Sequence, residues 1–73
     1  MTNDYPDYGI ITKQIKTKRK AIGMSQEKLA EKIDVSVRHM SYIETARRKV
    51  CLKLLFRIAK VLGTTLDPLV YGD

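Results

Sequence analysis

Two short stretches of the chain carry the same terminal signature, and together they restrict the fold more than any other feature. In Met24-Ser25 with Leu29, and again in Val35-Ser36 with Met40, an apolar residue precedes a serine and a second apolar residue follows one helical turn into the next segment. Serine at an N-cap accepts a hydrogen bond from the unpaired N–H groups of the turn that follows, and the flanking apolar pair has the spacing of a hydrophobic staple. Two short helices are therefore expected, Gln26 to Ile33 and Val37 to about Thr45. Only Asp34 and Val35 lie between the end of the first and the cap of the second, so the connection must be a tight turn.

The rest of the chain also follows helical periodicity. Ile11, Ile15 and Ile22 recur at helix-compatible spacing from Ile10 onward, with Lys13, Lys16 and Lys20 on other faces and Gly23 as a stop. A fourth helix is expected from Leu52 to Leu62, burying Leu52, Leu55, Ile58, Ala59 and Leu62, stopped by Gly63 and lacking a good cap at its start. Thr65 is expected to cap a last turn, Leu66 to Val70, with Pro68 near its start. No segment alternates with period two, so the fold class is all-α, in one compact domain over residues 10–73 behind a flexible N-terminal arm of residues 1–9. A chain of 73 residues supports a single hydrophobic core.

Charge is unevenly placed along this frame. The formal net charge is +6, and Lys13, Lys16, Lys18, Arg19 and Lys20 follow one another without an intervening acid, as do Arg47, Arg48, Lys49, Lys53, Arg57 and Lys60. Concentrated positive potential of this kind suits a polyanionic partner, nucleic acid first among them.

Helix, tight turn, helix and then a basic segment make a helix-turn-helix pattern. At about 100° per residue, Met40, Ile43 and Glu44 of the third helix fall on one side, while Arg38, Ser41, Tyr42 and Thr45 fall on the other. The first set suits a protein core and the second a DNA groove. Arg38 stands in the first helical turn, where the helix dipole disfavours a cation, so a purely structural helix would carry an acid there. Facing DNA, an arginine at that place can pair bidentately with guanine O6 and N7; the alternative is a solvated side chain.

Neighbouring residues admit two readings each. His39 on the flank either touches a phosphate or is an ordinary surface histidine. Tyr42 either packs on a thymine methyl or sugar, or covers the domain's own surface, and Val37 either touches a thymine methyl or packs beside Val35. Gln26 at the start of the second helix either bonds a phosphate beside the helix N-terminus or is a surface helix former. Arg47, Arg48 and Lys49 either run along the DNA backbone or form a solvated charged loop. Arg19 and Glu44 both fall toward inner faces, so an ion pair between the first and third helices is expected.

The run Ser25-Gln26-Glu27-Lys28-Leu29-Ala30-Glu31-Lys32-Ile33-Asp34-Val35-Ser36, continued by Met40-Ser41-Tyr42-Ile43-Glu44 and Ile58-Ala59-Lys60-Val61-Leu62-Gly63, strongly resembles the lambda-repressor and Cro-like, or XRE, helix-turn-helix family. The resemblance covers about Ile10 to Val70. It implies a five-helix domain that binds a two-fold operator in double-stranded DNA as a homodimer, with the third helix in the major groove. It also implies phosphate contact by Gln26, base contact by Ser36, Val37, Arg38 and Tyr42, and a salt bridge between Arg19 and Glu44. The sequence departs from the family pattern at Asp34, where a turn glycine is usual, at Ala46, where a glycine usually follows the recognition helix, and at Val50-Cys51, where Pro-Ser usually starts the fourth helix.

A sequence-specific transcription regulator of repressor type is the reading that follows. Antitoxins and restriction-modification controllers use the same domain at this length, and a protein-interaction module without DNA binding is the alternative from another class. No enzyme is expected, since there is no paired-carboxylate register, metal-ligand cluster or phosphate-binding glycine loop. Neither a cofactor nor a small-molecule ligand is indicated. Cys51 is the single cysteine, which excludes an internal disulfide and suits a reducing cytoplasmic setting, and no apolar run approaches the roughly 20 residues of a membrane span. Leu54 and Val61, seven residues apart outside the main stripe, are expected to join Phe56 and Tyr71 in a dimer face.

Overall fold

The computed structural model describes residues 8–45 and 50–72. Its elements in chain order are α1 (Tyr8–Ala21), α2 (Gln26–Ile33), α3 (Val37–Glu44), α4 (Leu52–Leu62) and α5 (Leu66–Tyr71). The all-α expectation holds among the described residues. Helix α1 starts at Tyr8, ahead of the expected Ile10, so Tyr8 and Gly9 belong to the helix and not to an arm.

The serine signatures work as expected at both helix starts. The Ser25 hydroxyl oxygen accepts from the Lys28 N–H at 3.0 Å, and that of Ser36 accepts from the His39 N–H at 3.0 Å. What precedes each serine is the end of the previous helix, closed by paired reverse hydrogen bonds around a left-handed residue. After α1, Gly23 (φ 70°) donates to Lys20 O at 3.0 Å and Met24 donates to Arg19 O at 3.0 Å. After α2, Asp34 (φ 61°) donates to Glu31 O at 3.3 Å and Val35 donates to Ala30 O at 3.0 Å. Asp34 is the non-glycine residue with positive φ among the described ones, a place its short polar side chain tolerates. Met24 and Val35 thus each close one helix and open the next, and both pack half-buried against the core.

That core takes Ile11 and Ile15 from α1, Leu29, Ala30 and Ile33 from α2, Met40 and Ile43 from α3, Leu55, Ile58, Ala59 and Leu62 from α4, Val50 ahead of α4, and Leu69 from α5. Helix α1 lies against α3, α4 and α5, and α2 lies against α3 and α4.

Three expectations need correction. Ile22 is 52% exposed, because Gly23 turns the chain so that Met24, not Ile22, meets the core. Leu52 is 63% exposed; it lies roughly 90° around the helix from the mean direction of Leu55, Ile58 and Leu62, and buried Val50 closes that end of the core instead. Thr65 makes no side-chain cap bond to α5. Ser25 and Ser36 each bond the N–H of the third helical residue, and in α5 that residue is Pro68, which has none.

Cys51 heads α4 with φ −74° and ψ 159°, nearly the backbone of Ser25 (−77°, 161°) and Ser36 (−70°, 156°), yet its side chain makes no cap bond. Leu54, at the third helical position, offers its N–H to a suitable acceptor. Replacing Cys51 by serine is expected to stabilise the domain by about 0.5–1 kcal/mol, read as a raised midpoint in urea with an unchanged slope; an unchanged midpoint would show that the cap is not formed.

Candidate nucleic-acid interface

Helix α3 is short, so its direction depends on what holds it rather than on its own stability. Met40 and Ile43 have no exposed surface, and Glu44 is 7% exposed. On the other side Arg38 is exposed and Ser41 and Tyr42 are half-buried. The division read from helical periodicity is thus reproduced, and neither Arg38, Ser41 nor Tyr42 is enclosed by the protein. Ser36, Arg38, His39 and Tyr42 line one shallow concavity of about 220 Å³ at the start of the helix. Val37, 46% exposed, stands at the first helical position.

The first turn of α3 contains no acid to answer the helix dipole, leaving Arg38 as its charged residue. Two hydroxyls near the site already serve the backbone. Ser36 accepts the His39 N–H, and Thr45 donates to Ser41 O at 2.9 Å, with Tyr42 O at 3.4 Å. Thr45 follows the last helical residue, and Ser41 O also accepts its backbone N–H at 3.0 Å, so that carbonyl receives both groups of Thr45. Arg47, Arg48 and Lys49, together with Ala46, lie outside the described residues.

The expected pair between α1 and α3 is present and buried. Arg19 Nε donates to Glu44 Oε2 at 2.6 Å and Nη2 donates to Glu44 Oε1 at 3.0 Å, the two-pronged geometry in which guanidinium and carboxylate fit best. The two side chains are 8% and 1% exposed. A third donor of Arg19, Nη1, reaches the carbonyl of Met24 at 2.7 Å and so fixes the turn between α1 and α2.

Gln26 adds a contact that sequence reasoning missed. Its Nε2 donates to Glu44 Oε1 at 3.0 Å, joining the first residue of α2 to the last residue of α3. Nothing in the sequence signals this, because 18 positions separate the partners and a glutamine at a helix start is unremarkable on its own. Among the described residues no buried side-chain nitrogen or oxygen lacks a partner, and each nitrogen of the Arg19 guanidinium and each oxygen of the Glu44 carboxylate has one. Also among the described residues, no cluster of His, Cys, Asp or Glu could hold a metal ion, and no helix is long and apolar enough to cross a membrane.

An exposed cationic helix start, carried on a helix whose opposite side is locked into the core, is the arrangement of a DNA-reading helix-turn-helix. The family model described as "Helix-turn-helix" matches residues 15–69, and the chain belongs to that family, in its XRE type of DNA-binding transcription regulators. The five helices match the lambda-repressor-like fold. The N-terminal DNA binding domain of SinR from Bacillus subtilis is 31% identical, with a TM-score of 0.77 over 84% of this chain and 90% of that one. SinR in complex with DNA is 32% identical, with a TM-score of 0.75 over 81% and 95%. The restriction-modification controller protein C.AhdI from Aeromonas hydrophila is 26% identical, with a TM-score of 0.80 over 89% and 98%. The clp gene regulator ClgR from Corynebacterium glutamicum, at 23% identity and a TM-score of 0.84 over 88% and 68%, shares the fold. No curated protein sequence matches the chain.

Removing one member of the buried pair strands the other. Arg19→Met is expected to cost about 3–5 kcal/mol, most of what a domain this small has. The double replacement Arg19→Met with Glu44→Met should recover much of that loss. Chemical unfolding of the three proteins checks this, and a double variant no more stable than Arg19→Met would contradict it.

Proposed function

We propose that the protein binds a specific site in double-stranded DNA as a homodimer and represses transcription by occupying a two-fold operator. The observation that carries this reading is the exposed Arg38 in the first turn of a helix whose opposite side is buried. Inserted in the major groove, Arg38 donates to guanine O6 and N7. Ser36, Val37, Ser41, Tyr42 and Thr45 lie along the same helix and meet neighbouring base edges or sugars, with Val37 and Tyr42 suited to thymine methyl groups. His39 faces a phosphate. Gln26 and the open N–H groups at the start of α2 meet another. Arg47, Arg48 and Lys49 follow the DNA backbone beyond α3.

For the dimer, Leu54 and Val61 are partly buried against the protein's own core and keep part of their surface for a partner. The exposed apolar side chains of α4 and α5 include Leu52 and Phe56, one turn apart on α4 and 63% and 56% exposed, and Tyr71 on α5, 72% exposed. A second copy seated on the α4 side would cover Leu52 and Phe56. A role as restriction-modification controller is the second reading, favoured by the chain's match to 98% of the length of C.AhdI.

Selecting bound sites from a random duplex library tests the proposal: a two-fold site with half-sites about one helical turn apart is expected. Affinity should also fall steeply with salt, by a slope of about 0.9 per phosphate contacted. A flat salt response would point to a protein-interaction module. Arg38→Ala is expected to cost about 1–3 kcal/mol on the selected site and to relax preference at one base pair, whereas Lys49→Ala should weaken selected and random duplexes alike. Equal losses on both duplexes for Arg38→Ala would remove Arg38 from base reading.

A further inference from the structure

Four hydrogen bonds around the start of α2 form a closed circuit, and a fifth, the Ser25 cap, leads from it into the helix. Arg19 holds the Met24 carbonyl and both oxygens of Glu44; Glu44 holds the Gln26 amide; and the Ser25 cap, between Met24 and Gln26 in the chain, holds the Lys28 N–H. Each side of the circuit ends at a helix terminus: the end of α1, the start of α2 and the end of α3. Two of the three side chains in it, Arg19 and Glu44, are accounted for as a buried ion pair. Gln26 is half-buried, and the ion pair is complete without it.

We propose that Gln26 is a positioning residue for DNA reading: by holding Glu44 it sets the angle between α2 and α3, so that a phosphate at α2 and bases at α3 are met in one register. This rests on the reading of the protein as a sequence-specific DNA binder. A neutral amide suits the task. It donates to the carboxylate without adding a charge, and its second N–H remains to be offered to a phosphate, which a single-donor side chain could not do. A lysine there would carry a charge that the DNA backbone and Glu44 both attract. The bond is to an ionised acceptor that is 1% exposed, where water competes little, so it constrains the helix pair more than a surface contact would.

A glutamine that only touches a phosphate and one that also positions α3 differ in a measurable way. The phosphate contact is the same on every sequence, so its loss lowers affinity for selected and random duplexes equally. Misplacement of α3 lowers affinity for the selected site alone. Dissociation constants are therefore compared on the selected operator and on random duplex of equal length, for the wild-type protein, Gln26→Met, Arg38→Ala and the two combined, with thermal unfolding of each. Gln26→Met keeps the length and apolar stem of the side chain and removes the amide; Gln26→Asn, one methylene short of Glu44, serves as a second variant should the first not fold. Expected is a fall of about tenfold in the ratio of specific to random affinity for the Gln26 variants. In combination with Arg38→Ala the loss should be smaller than the product of the two single losses, because the two residues act on one register. An unchanged ratio in the Gln26 variants, or losses that multiply fully, would overturn the positioning role. A wild-type protein with no preference for any selected duplex would instead remove the DNA reading on which this role depends.

Discussion

The buried carboxylate of Glu44 is the constraint on which the placement of α3 rests. An isolated charge in an apolar interior is too costly to keep, so the fold must bring a cation and hydrogen-bond donors to it. Arg19 supplies the charge through two donors, Gln26 adds a third, and both oxygens are occupied. A buried ion pair is weak evidence of net stability, since apolar residues of similar volume often do as well. What this one provides is uniqueness. Apolar Met40 and Ile43 hold α3 to the core but tolerate sliding, whereas the fork of a guanidinium on a carboxylate is satisfied in one geometry.

Once α3 is held in that way, Arg38 on its outer side stands exposed. Arg38 can occupy a turn where a structural helix would carry an acid, because nothing inside the protein asks for it. The domain thereby divides one eight-residue helix lengthwise. Half is core, chosen for shape, and half faces outward, chosen for chemistry.

Most of this was legible in the sequence where a local rule applied. Serine caps and apolar staples located α2 and the start of α3 to the residue, and helical periodicity separated Met40, Ile43 and Glu44 from Arg38, Ser41 and Tyr42. Arg19 with Glu44 was legible because two charges on inner faces must meet. The errors fall at helix ends, where periodicity loses its meaning: Ile22 lies past the turn that redirects the chain, and Leu52 sits where no preceding helical turn covers it. Thr65 makes no cap because Pro68 stands at the third helical position, whose N–H the Ser25 and Ser36 hydroxyls use in α2 and α3. The Gln26–Glu44 bond could not be read at all. It depends on the angle between two helices, which no local rule supplies.

The double duty of Met24 and Val35 has a consequence for how such a unit can change. Each is the last element of one helix end and the first of the next, with no spare residue between them. Lengthening either corner by one residue would uncouple both helices that meet there, not merely loosen a loop. The bracket thus admits substitutions but not insertions, and new preferences must come from exchanging the outward side chains on an unaltered mount.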